Sequence, residues 1–193
     1  MIRAVDDRLP KEIGFLIVHE VSADWNPRLA SQRVYRYRLE GIQGWNYPGE
    51  IFQDWLSLFV GTYNAANFAK LEEGKNPIPQ IYAWQPWKVD GRVVGFEITG
   101  EAFLWNQVRR TAMAIYGLSM GELTQQQIVD AINQPDIPVD FGVAPPEWLV
   151  LWDVIWPDFE HPNSDETLVS FTPPPSGEYL ERTMMSRWEA GCK

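Results

Sequence analysis

Apolar and polar residues follow two periods along this chain, and each period predicts a kind of element. Residues 33–39 (RVYRYRL) have a period of two, which places Tyr35 and Tyr37 on one face and predicts a strand. Short apolar runs rich in branched residues predict further strands at residues 13–21 and 148–156. The run at 148–156 (WLVLWDVIW) has few polar positions, so we expect it to be buried on both faces.

Helical spacing and turn residues predict the remaining elements. The apolar positions of residues 50–60 recur at helical spacing, as do those from Leu104 to Ile115, where Gly117 suits a helix end. A Thr124–Gln127 pair has the pattern of a capping box and predicts a helix through Asn133. The dipeptide Asp90-Gly91 separates residues 81–89 from residues 92–99 and predicts a tight β-hairpin, because its glycine adopts positive φ at little cost.

The order of these elements is strand, strand, helix, hairpin, helix, helix, strand. Strands and helices do not alternate strictly, so we expect an α+β domain with a mixed, largely antiparallel sheet. We assign this domain to residues 1–157. Residues 158–193 contain three consecutive prolines, Pro173 to Pro175, and are predicted to form a tail or extension.

Composition narrows the classes of function. Apolar residues make up 45% of the chain, but no apolar run reaches the roughly 18 residues that a membrane span requires. One cysteine, Cys192, excludes an internal disulfide framework, and His19 and His161 are too few for most metal clusters. We therefore predict no metal site. The net charge of −10 argues against binding nucleic acid over the whole surface, although it leaves a local basic patch open.

Such a patch occurs at residues 28–38 (RLASQRVYRYR). It holds four arginines, Arg28, Arg33, Arg36 and Arg38, with two tyrosines and no acidic residue. Arginine pairs with phosphate and tyrosine stacks on a nucleobase, so this composition fits a nucleic-acid contact. The alternative is an edge strand with a solvated basic face.

A second candidate is the segment 103–110 (FLWNQVRR). Arg109 flanks the apolar stripe of the predicted helix. It is either an arginine that lies along apolar surface and pairs with any nearby carboxylate, or one held in a cleft for a catalytic acid or a phosphate. The proline turn of residues 144–151 (APPEWLVL) indicates by itself only a turn that leads into a strand.

Together these segments resemble a known family. The motifs Leu9-Pro10 with Ile13, Arg33-Val-Tyr-Arg-Tyr37, and Phe59-Val-Gly-Thr62 with Asn67-Phe68 occur in the order and with the gaps of the tRNA pseudouridine synthase A family. Phe103-Leu with Val108-Arg109, and Ala144-Pro-Pro-Glu147 with Leu149, continue the series. The resemblance covers about residues 2–157. It implies the pseudouridine synthase fold, with the helices packed on one face of the sheet.

The family isomerises uridine to pseudouridine in tRNA, and the resemblance implies the same reaction here without cofactor or metal. The family uses an aspartate in a Gly-Arg-Thr-Asp-Ala-Gly type motif, which these 193 residues do not contain. In the family that motif lies shortly before the element that begins here at Leu9. We therefore expect this chain to hold the end of the N-terminal half and the whole C-terminal half of an enzyme, and to be inactive alone.

Three positions carry over from the family. Tyr35 matches the tyrosine that stacks on the target base and takes part in proton transfer. Arg109 matches the arginine that pairs with the catalytic aspartate, and Leu149 matches a leucine that lines the uracil pocket. We add Arg33, Arg36 and Arg38 as candidate tRNA contacts. With its aspartate missing, Arg109 should line an open cleft near Tyr35 and Leu149 and face water, an ion or a substitute acid.

The sequence differs from the family at several places. Trp148 stands where the family usually has glycine, and Tyr63-Asn64 stand where it often has His-Asp. An alternative function is a non-catalytic RNA-binding or dimerisation module on the same scaffold. The resemblance implies tRNA as partner, a homodimer or a missing N-terminal catalytic portion as protein partner, and no membrane. It implies a cytoplasmic location, or a nuclear or organellar one in a eukaryote.

Overall fold

A computed structural model describes residue 8, residues 19–157 and residue 159. These residues fall into two units, one formed by Ser31–Val154 and the other by the described residues outside that range. The predicted boundary at residue 157 stays a prediction, because residues 160–193 lie outside the described part. The strands are β1 (Gln32–Tyr37), β2 (Gly61–Thr62), β3 (Gln80–Val89), β4 (Arg92–Gly100) and β5 (Leu149–Ile155), and the helices are α1 (Ile51–Ser57), α2 (Gln107–Ser119) and α3 (Gln125–Asn133).

The five strands form one sheet in the order β2-β3-β4-β1-β5. Strand β4 is antiparallel to both β3 and β1, with Tyr35 opposite Ile98 and Tyr37 opposite Phe96. The end of β1 lies beside the start of β5, where the Arg38 N–H donates to the Trp148 carbonyl oxygen at 3.0 Å. Strands β2 and β3 also pair in antiparallel fashion, so the predicted largely antiparallel sheet is confirmed.

The hairpin between β3 and β4 is confirmed. Asp90 and Gly91 have φ values of 51° and 76°, the left-handed conformation that a two-residue hairpin turn requires. Helix α3 also begins as predicted, because the Thr124 and Gln127 side chains each bond the other residue's backbone N–H, which completes a capping box.

The three helices contribute to one hydrophobic core, and this core lies against one face of the sheet. Tyr37, Phe96, Ile98 and Trp84 supply the sheet side of the core. Because alternate residues of a strand point to opposite faces, Arg36 and Glu97 lie on the other face. The α+β class with helices on one face is confirmed.

Strand β5 differs from its prediction. It is an edge strand that pairs with β1 on one side, and its residues are only partly buried, with Leu151 46% exposed. The prediction that this strand is buried on both faces is wrong, since an apolar run alone does not show which strand ends a sheet.

Helix α2 and the predicted first strand also differ from the sequence-based predictions. Helix α2 continues past Gly117 to Ser119, so Gly117 does not end it. A side chain at Gly117 would put its Cβ 2.6 Å from Leu123 Cδ1, so the glycine permits close packing instead. The predicted strand at residues 13–21 lies mostly outside the described residues, and residues 19–21 belong to no strand.

The helices of the described part are too short or too polar to cross a membrane.

Candidate active site

Strand β1, which lies between β4 and the edge strand β5, carries Tyr35. Its ring is half-buried and meets Phe103 edge-to-face, with 5.1 Å between the ring centroids. Burial raises the pKa of the Tyr35 phenol, and the charge of Arg33 lowers that pKa by a smaller amount. The phenol therefore keeps its proton at neutral pH, so it can stack on a base or donate a hydrogen bond.

Helix α2 carries Arg109 in its first turn. The Arg109 Nε–H donates to the Ala144 carbonyl oxygen at 2.6 Å, and Nη1 donates to Asn106 Oδ1 at 3.2 Å. The Ala144 N–H donates back to the Arg109 carbonyl oxygen at 3.2 Å. The half-buried guanidinium is thus held from two sides, by its own helix and by the turn that precedes β5.

Both acceptors of the Arg109 guanidinium are neutral. Arg109 forms no ion pair within the described part of the chain, and its Nη2 has no hydrogen-bond partner there. The predicted substitute acid is absent among these residues, since an amide and a carbonyl oxygen occupy the nearest positions. The site therefore keeps a fixed positive charge and a spare donor for an anion.

The turn at Ala144 and Pro145 connects Arg109 to the second tyrosine of β1. Tyr37 is fully buried, and its hydroxyl donates to the Pro145 carbonyl oxygen at 2.9 Å. Burial strongly raises the pKa of Tyr37, while the positive charge of Arg109 opposes that rise. Tyr37 is therefore a neutral structural residue that fixes the turn on which Arg109 depends.

Tyr35 and Leu149 are both partly buried at the edge of the hydrophobic core. Phe103, which contacts Tyr35, leads directly into the segment that contains Asn106, and Leu149 begins the strand next to β1. Both Tyr35 and Leu149 pack against the main core cluster. That the side chains of Tyr35, Arg109 and Leu149 line one uracil pocket stays a prediction.

The three candidate tRNA-contacting arginines divide between the two faces. Arg33 shares the face of Tyr35, and its Nη1 donates to the Glu101 carbonyl oxygen at 2.5 Å. Arg36 and Arg38 lie on the opposite face, where Arg36 pairs with Glu97 at 2.6 Å and Arg38 pairs with Glu40 at 2.5 Å.

Tryptophan rings lie against the guanidinium groups of Arg36 and Arg38. The Arg36 guanidinium lies 3.5 Å from the Trp152 ring centroid and 5.4 Å from that of Trp87, and Arg38 also lies over Trp87. Both arginine side chains are only 16% exposed. Strand β1 is flanked by β4 and β5, so the alternative of an edge strand with a solvated basic face is wrong.

Sequence reasoning missed the residues that hold Arg109. Asn106 precedes the helix and would be taken for an ordinary capping residue, and Ala144 contributes only a backbone carbonyl. It also did not predict that Lys70 Nζ lies over the ring of the exposed Trp105, at 4.0 Å from the centroid. Only the spacing of Asn106 and Arg109, three apart at a helix start, was available as a signal.

The fold is an α+β sheet-and-helix domain in which neutral acceptors hold the Arg109 guanidinium at the turn that also binds Tyr37. The family model described as tRNA pseudouridine synthase matches residues 56–157, and the chain belongs to that family. The expected family is thereby confirmed.

Curated relatives agree with the family match. The chain is 32% identical to tRNA pseudouridine synthase A of Methanocorpusculum labreanum over 157 residues, which are 80% of this chain and 53% of the relative. It is 33% identical to the protein of that name from Pyrococcus furiosus over 156 residues, 80% of this chain and 57% of the relative. The chain spans about half the length of the curated relatives it matches.

Proposed function

We propose that this chain supplies the tyrosine and the arginine of a site that isomerises uridine to pseudouridine in tRNA. The observation that carries the proposal is the state of Arg109, whose guanidinium is fixed by neutral acceptors and keeps its charge for an anion. In the family that anion is the carboxylate of the catalytic aspartate. The site of this chain is thus the complement of the family motif that its sequence lacks.

The proposed reaction uses the described groups as follows. The target uridine leaves the base stack, and the Tyr35 ring replaces part of the lost stacking. Arg109 keeps the aspartate ionised, because an adjacent opposite charge lowers the pKa of a carboxyl group. The carboxylate then acts as nucleophile or base on the ribose–base unit.

The isomerisation balances without a co-reactant. The bond between N1 of uracil and C1′ of the ribose breaks, and the base rotates in a pocket to which Leu149 contributes. A bond forms between C5 and C1′, C5 loses its proton, and N1 gains one. Tyr35, which remains protonated, is suited to take part in that proton transfer.

The first prediction concerns activity. We expect the 193-residue chain alone to make no pseudouridine, because its sequence lacks the motif that carries the aspartate. Release of tritium from tRNA labelled at C5 of uridine measures the reaction. Activity that appears only when the N-terminal half of a relative is added would support the proposal.

Two outcomes would count against it. Multiple turnover by the isolated chain would show that the carboxylate is already present. Tight tRNA binding with no release under any complementation would instead indicate the non-catalytic RNA-binding or dimerisation module. A reading frame upstream of Met1 that encodes the aspartate motif would favour the enzyme.

The second prediction concerns tRNA contacts. Arg33 shares the face of Tyr35, whereas Arg36 and Arg38 each already bind a carboxylate on the other face. We expect Arg33→Ala to flatten the salt dependence of tRNA binding by about one unit of log–log slope, as for one lost phosphate contact. The double change of Arg36 and Arg38 to alanine should flatten it by less than the roughly two units of two phosphate contacts.

Fluorescence anisotropy with labelled tRNA, at a temperature where all variants are folded, measures these slopes. Two results together would place the tRNA contact on the opposite face. They are an unchanged slope in Arg33→Ala and a slope flattened by the full two units or so in the Arg36 and Arg38 double variant.

The family resemblance also supports proposals about the partners and the location of this protein. We propose tRNA as the substrate and either a homodimer or a separate N-terminal catalytic portion as the protein partner. We propose the cytoplasm as location, or the nucleus or an organelle in a eukaryote. Light scattering on the purified chain would measure its mass, and a monomer at all concentrations would remove the homodimer.

A further inference from the structure

Asn106, immediately before helix α2, has an uncommon backbone conformation. Its φ and ψ are 59° and 10°, in the left-handed region that glycine adopts freely and that asparagine adopts more readily than most other residues. Within the described residues only Asp90 shares a positive φ among non-glycine residues, and Asp90 lies in a hairpin turn where that conformation is required. No hairpin explains the conformation of Asn106.

The Asn106 side chain does not cap its helix. Asparagine in the extended conformation is among the best capping residues, because its oxygen accepts a backbone N–H of the first helical turn. Here the side chain makes no capping bond, and Oδ1 accepts from Arg109 Nη1 at 3.2 Å instead. The left-handed conformation thus accompanies a side chain directed at the guanidinium.

The neighbouring residues stabilise this arrangement. Gln107 is buried, and its Oε1 accepts the Leu104 N–H at 2.9 Å, which fixes the segment before Asn106. The Asn106 carbonyl oxygen accepts the Arg110 N–H at 2.9 Å and so belongs to the first turn of the helix. Asn106 is therefore anchored on both sides, and Oδ1 is placed by backbone that cannot easily shift.

Two contacts determine the orientation of the Arg109 guanidinium. Ala144 accepts from Nε, and Asn106 accepts from Nη1, which leaves Nη2 as the donor that no other described residue uses. With the Ala144 contact alone, the planar guanidinium could still rotate as a unit about the hydrogen bond from Nε. The Asn106 contact removes that freedom without neutralising the positive charge.

We propose that Asn106 is a positioning residue that orients Arg109 for an incoming carboxylate. The proposal rests on the proposed function, in which that carboxylate is the catalytic aspartate. It also accounts for an amide at this position. Aspartate would offer an oxygen in the same place, but its charge would occupy the guanidinium and compete with the incoming anion.

The test uses the full chain, labelled with 15N, and follows the side-chain signals of Arg109 by NMR. Arg109→Lys assigns the signals. Asn106→Gly removes the acceptor and keeps a residue that accepts the left-handed conformation, whereas Asn106→Asp keeps an acceptor in the same place. Asp90→Gly makes the same backbone change at the remote left-handed position and serves as the matched control.

We expect resolved Nη signals for Arg109 in the wild type, in Asn106→Asp and in Asp90→Gly. In Asn106→Gly these signals should broaden or merge, and exchange of the Nε proton with water should accelerate several-fold, while the melting temperature changes little. A lower melting temperature with unchanged Arg109 signals in Asn106→Gly would overturn the proposal and leave Asn106 a purely structural residue. The experiment contains no tRNA, so a failure of the proposed isomerase activity would not affect its outcome.

Discussion

Among single residues, Gly41 packs closely against Trp148, immediately before the start of β5. A side chain at Gly41 would put its Cβ 2.2 Å from the indole ring of Trp148, a distance at which atoms must shift. The resemblance indicates that Trp148 replaces a glycine usual in the family. The indole therefore occupies space that depends on the missing side chain of Gly41.

This contact predicts a dependence between the two positions. We expect Gly41→Ala to lower the free energy of unfolding by about 1–3 kcal/mol, as overpacking does. Trp148→Gly in the same chain should remove most of that additional cost, because the clashing ring is gone. Urea unfolding of the two single variants and the double variant measures the coupling, and strictly additive effects would contradict it.

Tyr63 predicts how stability depends on pH. Burial raises its pKa to about 12, while a hydrogen bond from Gln107 Nε2, at 3.3 Å to the hydroxyl oxygen, favours the charged form. The unfolded phenol titrates near pH 10. Below that pH both states carry the proton, and above it the unfolded state loses its proton first, so stability falls as pH rises from about 10 to about 12.

Tyr63→Phe tests this relation. The variant should be less stable at neutral pH by about 1 kcal/mol, because the Gln107 amide loses its partner. Its stability should fall less steeply above about pH 10 than that of the wild type, because one titrating group is absent. Thermal unfolding at neutral pH and at several alkaline pH values measures the stability of both proteins. If stability fell equally steeply with pH in the variant and the wild type, Tyr63 would not contribute to the pH dependence.

At the scale of elements, the sheet face opposite the helices is held together by Arg36. This side chain pairs with Glu97 of β4 and lies over Trp87 of β3 and Trp152 of β5. One arginine on β1 thus contacts three other strands. Glu97 also accepts a hydrogen bond from Gln85 at 2.7 Å, so the cluster is continuous across the sheet.

We expect Arg36→Ala to lower the free energy of unfolding by about 1–3 kcal/mol, because a half-buried carboxylate loses its charge partner and two indoles lose their cover. Arg92→Ala is the matched control. Arg92 is 77% exposed and lies 3.4 Å from Glu40, so its loss should change stability by at most about 0.5 kcal/mol. Urea unfolding measures both variants. If Arg36→Ala and Arg92→Ala lowered the free energy of unfolding equally, the cluster around Arg36 would contribute no additional stability.

For the molecule as a whole, the net negative charge and the local positive charge of the candidate site have opposite effects on binding a polyanion. The net charge of −10 would repel the proposed tRNA substrate, whereas helix α2 and strand β1 carry arginines in the candidate site. Binding through a few phosphate contacts against that repulsion should be weak and strongly dependent on salt. Arg36 and Arg38 already pair with carboxylates, whereas the guanidinium of Arg109 is held by neutral acceptors.

Local elements and the family could be predicted from the sequence. Asp90-Gly91 and the Thr124–Gln127 capping box were predictable because a turn and a helix start depend on residues a few positions apart. The family resemblance and the family match agree because the motifs keep their order and spacing. The roles assigned to Tyr35, Arg109 and Leu149 came from that resemblance and stay predictions.

The contacts between distant polar groups could not be predicted, because they depend on how the elements pack. Arg36 and its partner Glu97 are separated by 61 positions in the sequence, and Arg109 and Ala144 by 35 positions. Residue spacing in the sequence does not predict contacts over such separations. The position of β5 at the edge of the sheet and the packing of Leu123 on Gly117 depend likewise on strand order and helix contacts. Local periodicity fixes which face of an element is apolar, but the partner of each polar group is chosen only when the elements pack.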